Sequence, residues 1–439
     1  MGTNIRFNTT IPKHEPAHQL ILTKDEWRDY MKETINVHVD DEPVLKESWM
    51  ILKPPQALLE VRPESYYPKL VTIGPFYQNR EPSPVNKFKA LCVKKFMKRH
   101  WISGVEDLIQ YLTPPKQDGL SRIYNLNLPQ SDFECLQLLV TVDTIFIHEF
   151  LLFLSTSQPM ESVCRYFAIF YNSDLTLGPR IVRDLLLIGN QIPMSSLKKI
   201  SYNRDFSLDV LEETMRKFIA RCNPFFSTEV VRTRFLGFLK SENIKVVDTC
   251  QHLLDSLYYL CTVEEESARQ TNSEESTRNY VRLPTAFQLC EAGISFKACE
   301  GNISVMKYDK RKLQLHLPRL DSTGDLLRNL IAYEITSTQG EEFSMYTRIM
   351  NSLMDSQEDL AILKEAKVIE NHMENDQRFA DMWKNMCIEV PDNGETRRWK
   401  QMMDDIVAHH SSRRRRWYAE FRKKFCSRPW LLASFLAAF

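Results

Sequence analysis

A mostly α-helical (α+β) fold with a small antiparallel β element is what this sequence predicts, on three observations. Apolar residues recur at spacings of three and four from residue 86 to 262 and again from 326 to 371. Only one clear run alternates with period two. Glycine is scarce, 12 residues in 439, so glycine-rich ligand loops have little to be built from. At the C-terminus the helical domain gives way to a truncated membrane-entry segment.

Residues 1–50 are a polar, variable region broken by Pro12, Pro16 and Pro43, with room for one amphipathic helix from Trp27 to Ile35. Residues 51–408 carry the helical domain. Its first stretch, 51–85, holds Pro54, Pro55, Pro63, Pro68, Pro75, Pro82 and Pro84. Proline removes N–H donors and fixes φ, so no long helix fits there. Within it, Leu70-Val71-Thr72-Ile73 reads as a short strand or buried extended segment that ends at Gly74-Pro75. Helical stripes follow: Phe88, Leu91, Cys92, Lys95 and Phe96; then Leu208, Leu211, Met215, Phe218, Ile219 and Cys222; then Val246, Val247, Cys250, Leu253, Leu254, Leu257 and Cys261. Leu136 to Leu154 is apolar almost throughout. Asp143, His148 and Glu149 interrupt it, which suits a buried helix better than a membrane span.

The stretch 264–278, EEESARQTNSEESTR, has almost no apolar anchor and is expected to be a flexible insertion. Leu313, Leu315 and Leu317 alternate with Gln314 and His316, a strand that Pro318 ends, with Ile303 and Val305 as its expected antiparallel partner. Residues 409–439 form a basic flank, Arg413 to Arg416 with Arg422, Lys423, Lys424 and Arg428, followed by an uncharged run from Pro429-Trp430 to Phe439. Basic cluster, Trp, apolar run is the order of a membrane-entry flank. As a helix the run reaches roughly 16 Å, about half of a hydrocarbon core.

Charge and motifs exclude several function classes. Basic and acidic residues balance at 57 each, which leaves no global nucleic-acid footprint. Wholesale disorder is excluded by 24 Phe, 16 Tyr and 7 Trp. No two glycines stand one residue apart, so G-x-G-x-x-G cannot occur, and G-x-S-x-G and H-E-x-x-H are absent too. None of the ten cysteines forms C-x-x-C, and most suit buried free thiols. No cofactor, metal or catalytic set emerges. The N-terminus lacks the apolar run of a signal peptide. Asn8 and Asn302 head formal glycosylation sequons.

Several motifs, taken in order, resemble the plant family called domain of unknown function 247. Tyr67-Pro68-Lys69-Leu70-Val71-Thr72-Ile73-Gly74-Pro75-Phe76-Tyr77 resembles its Y-x-P-x-x-V-S-I-G-P-Y-H signature, with Tyr77 in place of the usual His. Asp143, Phe146 and Glu149 match its D-G-C-F-I-x-E. Asp184 to Pro193 resembles D-L-L-L-L-E-N-Q-I-P, with Asn190, Gln191 and Pro193 kept and Gly189 in place of the Glu. Further on, Ala292, Gly293 and Phe296 resemble L-x-x-A-G-V-x-F, Pro318 ends the family's strand, and Arg328, Asn329 and Glu334 fall in R-N-L-I-A-F-E. Asp359-Leu360 to Leu363 with Val368 to Asn371 resembles D-V-x-L-L…G-I-I-x-N. Pro429-Trp430 resembles the F-x-N-P-W that opens the family's single C-terminal transmembrane helix. The resemblance implies a plant protein of unknown biochemical activity, single-pass in full-length relatives. It also brings a link to pollen-side self-incompatibility in some grass members.

The motif residues themselves read as structural. On a helix Asp143, Phe146 and Phe150 share a face while His148 points elsewhere, so a buried polar site is expected there rather than a catalytic or metal cluster. Asn190 and Gln191 are expected to satisfy carbonyls freed where Pro193 stops a helix. Arg328, Asn329 and Glu334 are expected to be a buried hydrogen-bond hub, and His409-His410 to be solvated. The function expected is a non-enzymatic recognition or signalling protein with a protein partner. It would be held weakly at a membrane through its C-terminus, the body on the cytoplasmic side by the positive-inside tendency. The alternative is a hydrolase or transferase with an unrecognised active site.

Overall fold

The structure, a computed structural model, describes residues 50–78, 84–112, 117–126, 130–155, 177–201, 207–226, 228–263, 282–320, 324–337, 342–370, 376–386 and 397–412. The expectations for Trp27–Ile35, for 264–278 and for the C-terminal tail, Pro429 and Trp430 included, lie outside the described residues. The described helices are α1 Gln56–Val61, α2 Pro84–Arg99, α3 Val105–Leu112, α4 Gln117–Ile123, α5 Gln130–Ser155, α6 Leu177–Leu185, α7 Met194–Ile200, α8 Leu208–Cys222, α9 Glu229–Ser241, α10 Val246–Thr249, α11 Leu253–Thr262 and α12 Ala286–Glu291. After the strands come α13 Gly324–Thr336, α14 Glu342–Leu353, α15 Gln357–Glu365, α16 Asp376–Met386 and α17 Arg397–Ser411.

Helix α5 is the axis of the N-terminal half, and α2, α3, α4, α7 and α8 pack around it. Its stretch Asp132–Leu154 is long and apolar enough to cross a membrane, but 67% of its most apolar window lies inside the protein. The expected stripes hold with two corrections: the stripe from Val246 to Cys261 is divided between α10 and α11, with Cys250 to His252 in neither, and Leu91 lies off the buried face of α2. In α2 the buried face is Val85, Phe88, Lys89, Cys92, Val93 and Phe96, while Leu91 is exposed. Helix starts follow capping chemistry: the Ser207 and Thr228 side chains accept N–H groups at the first turns of α8 and α9. Thr285 with Gln288 and Ser356 with Asp359 close reciprocal capping boxes on α12 and α15. One continuous apolar core joins the two halves, and a second, smaller cluster of Ile51, Leu120, Tyr124, Phe133, Leu136 and Val140 sits beneath α4.

The β element is mixed rather than antiparallel. Strands β1 Ser295–Cys299, β2 Lys307–Asp309 and β3 Gln314–Pro318 form a sheet in the order β1-β3-β2. β1 runs parallel to β3, from Ser295↔Gln314 to Cys299↔Pro318, and β2 pairs antiparallel, Lys307↔His316. The period-two run is a strand as expected, and Leu315 and Leu317 are its buried positions. Its expected partner, Ile303–Val305, is a 3-10 turn instead. The Asn302 side chain explains why. Its Oδ1 accepts the Ser304 N–H at 2.9 Å, and its Nδ2 donates to the Leu260 and Val263 carbonyls at 3.0 and 2.7 Å. A side chain that caps its own backbone competes with strand pairing.

The same bonds bear on the sequon. Asn302 is 2% exposed and both ends of its amide are engaged. Mass spectrometry of protein made in a secretory host is therefore expected to find Asn302 unmodified in the folded chain. Glycan there at high occupancy would show that this turn forms late or opens readily.

Candidate functional site

After a 3-10 turn at Pro63–Ser65, residues 66–78 run through the body as turns, bends and irregular chain outside the sheet, where buried backbone groups must find partners other than a neighbouring strand. Side chains from distant helices supply them. The Asp184 carboxylate, in the last turn of α6, accepts three consecutive N–H groups: Lys69 at 3.1 Å, Leu70 at 2.6 Å and Val71 at 2.9 Å. Asn190 acts as the missing strand neighbour. Its Oδ1 accepts the Ile73 N–H, and its Nδ2 donates to the Val71 carbonyl at 2.9 Å and the Asp184 carbonyl at 2.7 Å. Asp143 of α5 accepts the Gly74 N–H at 2.9 Å. Lys89 of α2, 2% exposed, donates to Asp143 and to the Thr72 carbonyl, both at 2.5 Å. Gly74 has φ +65°, and a Cβ there would lie 2.7 Å from the Gln191 carbonyl, so glycine is required on two counts.

The start of this strap is held the same way. Asn329 of α13 donates to the Ser65 carbonyl at 2.9 Å and accepts the Ile188 N–H at 3.0 Å. Ser65 donates to Asp325, and Arg183 reaches Asp325 and the Glu64 and Tyr67 carbonyls. Gln191 donates to the Leu185 and Leu187 carbonyls at 2.8 Å each and accepts the Leu254 N–H, and its own carbonyl receives the Tyr124 hydroxyl at 3.0 Å. The two amides satisfy carbonyls freed at the end of α6 as expected, but Pro193 does not stop that helix: α6 ends at Leu185, and Pro193 stands at the N-cap of α7. Three motifs, those of Asp143, Asp184 to Pro193 and Asn329, meet at one strap from which they lie 69 to 264 residues away in sequence.

Asp143 and Glu149 do not converge. Glu149 accepts from Arg99 at 2.7 and 2.8 Å and is hydrogen-bonded to His148 Nδ1 at 3.2 Å. Burial pushes the Asp143 carboxyl above its ordinary value, and Lys89 and the Gly74 N–H pull it part of the way back. Burial also acts on Glu149, but His148 and Arg99 outweigh it and hold that carboxyl below the usual range. Phe146 is core, edge-on to Phe88. Ala292 and Gly293 stop α12, with Gly293 at φ +86° turning the chain into β1, where Phe296 packs against the core. Arg328 is buried and donates toward the Asn385 carbonyl at 3.4 Å. Glu334 accepts the Phe343 and Ser344 N–H groups and the Tyr258 hydroxyl, all at 2.7 Å or less, so it anchors the start of α14; its pKa is raised by burial. Asn329 and Glu334 therefore anchor separate segments, the start of the strap and the start of α14.

Next to Glu334, Tyr333 donates to Asp255, and the neutral His252 ring accepts the Asp255 N–H at 3.1 Å. Burial lowers the His252 pKa from 6.5 to about 4, against the pull of Asp255. The folded state then binds fewer protons than the unfolded state between these values, so stability falls as pH drops through that window. The expected loss approaches roughly 3 kcal/mol by pH 4, and a His252→Gln variant should lose that part of the pH dependence in urea titrations. Equal slopes for both proteins would count against it.

Sequence reasoning missed Lys89, Arg183 and Asp325. Lys89 alone left a signal, because it occupies a buried position between Val85 and Cys92 on the apolar face of α2. His409 also departs from expectation. It is 5% exposed, and its Nε2 lies 3.1 Å from the Ala292 carbonyl, because α17 packs on β2 and covers it. Of the described cysteines, Cys92, Cys250 and Cys261 are buried, Cys222, Cys290 and Cys299 half-buried, and Cys135 exposed.

Two departures from the motifs face each other. A Cβ on Gly189 would stand 2.6 Å from the Tyr77 hydroxyl oxygen and 2.8 Å from its ring. Tyr77 fills the space where the motif pattern places a Glu side chain. Among the described residues no group of three His, Cys, Asp or Glu is placed to hold a metal.

A family model described as a plant protein of unknown function, DUF247, matches residues 51–439. A putative UPF0481 protein of Arabidopsis thaliana, At3g02645, is 22% identical over 86% of this chain and 85% of its own length. A second Arabidopsis UPF0481 protein, At3g47200, is 24% identical over 90% of this chain and 85% of its own. No solved structure matches the chain.

Proposed function

This chain belongs to the DUF247 family of plant proteins, and we propose that it is a non-enzymatic recognition or signalling protein held at a membrane. One observation carries the non-enzymatic part: the polar motif side chains that hold the strap are consumed by the chain's own backbone. Asp184, Asn190 and Asn329 spend their hydrogen-bonding atoms on main-chain partners or on one another's helices. A catalytic acid, base or nucleophile needs a free face toward a substrate. Such saturation suits a rigid body that presents its surface to a partner.

The membrane part rests on the residues after α17, an arginine cluster followed by Pro429-Trp430 and an uncharged run. The basic flank favours a body on the cytoplasmic side. A pollen-side role in self-incompatibility is the narrower form of this proposal, and expression confined to pollen tests it.

Hydrolase and transferase screens on the purified full-length chain test the non-enzymatic part. No turnover is expected. A turnover lost on Glu149→Gln, with the fold intact, would establish the alternative of an unrecognised active site.

A further inference from the structure

Helix α2 turns outward a face that neither the core nor the strap uses. Lys87, Leu91, Lys94 and Lys98 recur at spacings of four, three and four, and all four are exposed. On a helix they fall within a band about 60° wide, opposite the buried stripe that includes Cys92 and Phe96. Among the described residues no acidic group pairs with Lys87, Lys94 or Lys98.

The stripe ends at an uncommon turn. The His100 and Ile102 N–H groups close α2 by donating to the Phe96 and Met97 carbonyls, both at 3.0 Å. Between them Trp101 has φ +55°, the left-handed position at which helices ordinarily end on glycine. Met97 and Ile102 pack against the core and hold the turn in place. The Trp101 indole is 92% exposed, more than any other large apolar side chain among the described residues. A bulky aromatic thus stands in a backbone conformation that disfavours it, where the body gives it almost nothing to touch. Strain combined with exposure points to a contact outside the body.

Charge and area narrow the occupant. Three lysines without acidic partners select an anionic one. A second copy of the chain would bring the same positive face and be repelled. An acidic protein surface would need an apolar centre within about 800 Å² on each side. This face offers only Leu91, 39% exposed, and Trp101. A bilayer asks for no such centre, because an indole at headgroup level and lysines beside anionic lipid suffice. Glu106 and Asp107 belong to the first turn of α3, not to the stripe. Their carboxylates close over Gly104, where a Cβ would meet them at 3.3 and 3.4 Å. We propose that the outward face of α2 docks on the anionic lipid of a bilayer, with Trp101 at the interface. This rests on the membrane reading above and adds to it a contact made by the body itself.

The test is co-sedimentation of the full chain with vesicles of phosphatidylcholine alone or mixed with phosphatidylserine. Lys87→Gln with Lys94→Gln and Lys98→Gln should weaken binding to the mixed vesicles roughly a hundredfold, about fivefold for each charge. Trp101→Gly should weaken it about tenfold. Because glycine suits the left-handed position and the indole packs on nothing, the same variant should also unfold at a higher urea concentration than the wild type. Stability up and binding down is a split that a merely structural tryptophan would not give. Quenching of indole emission by brominated phosphatidylcholine in the mixed vesicles should fall in Trp101→Gly.

If the wild type binds mixed vesicles and both variants bind equally well, this inference fails and the membrane reading stands. Binding is then expected to be lost on Arg413–Arg416→Gln instead. If the wild type ignores mixed vesicles, both fail. Titration with a glutamate-rich peptide separates the two kinds of anionic surface. An emission change that Trp101→Gly abolishes, in a protein whose vesicle binding ignores Trp101 and the lysines, would assign the face to an acidic protein and overturn the lipid assignment.

Discussion

Asp184→Ala is expected to unfold this protein or bring it close to unfolding. One carboxylate satisfies the N–H groups of Lys69, Leu70 and Val71, and the residue is fully buried. Alanine leaves three donors without acceptors, the Val71 N–H buried and those of Lys69 and Leu70 partly so. At roughly 1–3 kcal/mol for each unsatisfied buried group, the cost is about 3–6 kcal/mol or more. That is comparable with the whole stability of an ordinary domain, about 5–15 kcal/mol. Asp184→Asn keeps one oxygen, and if that oxygen takes the Oδ2 position it still accepts from Leu70, Val71 and, at 3.1 Å, Lys69, while the Oδ1 bonds to Lys69 and the Arg183 guanidinium are lost. Roughly half the loss is expected for it. Urea unfolding followed by circular dichroism measures both, and a midpoint unchanged by Asp184→Ala would show that the strap's amides do not depend on the carboxylate.

Gly189→Glu is expected to be nearly as damaging, although it moves this chain toward the motif it resembles. The new Cβ would sit 2.6 Å from the Tyr77 hydroxyl oxygen, and the carboxylate would enter a buried site. Overpacking costs roughly 1–3 kcal/mol and an unpaired buried polar group adds a similar amount. Tyr77→His alone removes ring area and is expected to cost less. Combined, the smaller ring clears the Cβ and supplies a partner for the carboxylate. The double variant should recover at least half of the Gly189→Glu loss, a coupling typical of residues in contact. Losses that simply add would mean that the two departures from the motif are unrelated.

How far the sequence revealed this structure depended on the range of the interactions. Helices built on local periodicity, such as α8 and α11, were legible because each residue's environment follows from neighbours three and four away. The stop expected at Pro193 was misplaced, because α6 had already ended at Leu185 and the proline instead precedes the first residue of α7. The 295–299 strand was not, because its five residues alternate too briefly and its partner lies across an intervening turn. Nor was Asn302 recognisable as the residue that turns Ile303–Val305 away from the sheet, since two of its partners are carbonyls some forty positions earlier. The strap showed the same division. Prolines and the Leu70–Ile73 run marked it as extended and buried. Its pairing with Asp184, Asn190 and Asn329 spans separations of 113 to 264 residues, which no local pattern encodes.

Hydrogen exchange at the Lys69, Leu70, Val71, Ile73 and Gly74 amides tests most directly whether the motif residues form a structural clamp. These five belong to no strand or helix, yet each donates to a carboxylate or amide side chain. A working clamp predicts protection near that of core amides in α5, opening only with global unfolding. Exchange at the rate of exposed loop amides in the native protein would contradict it and free Asp184, Asn190 and Asp143 for another role.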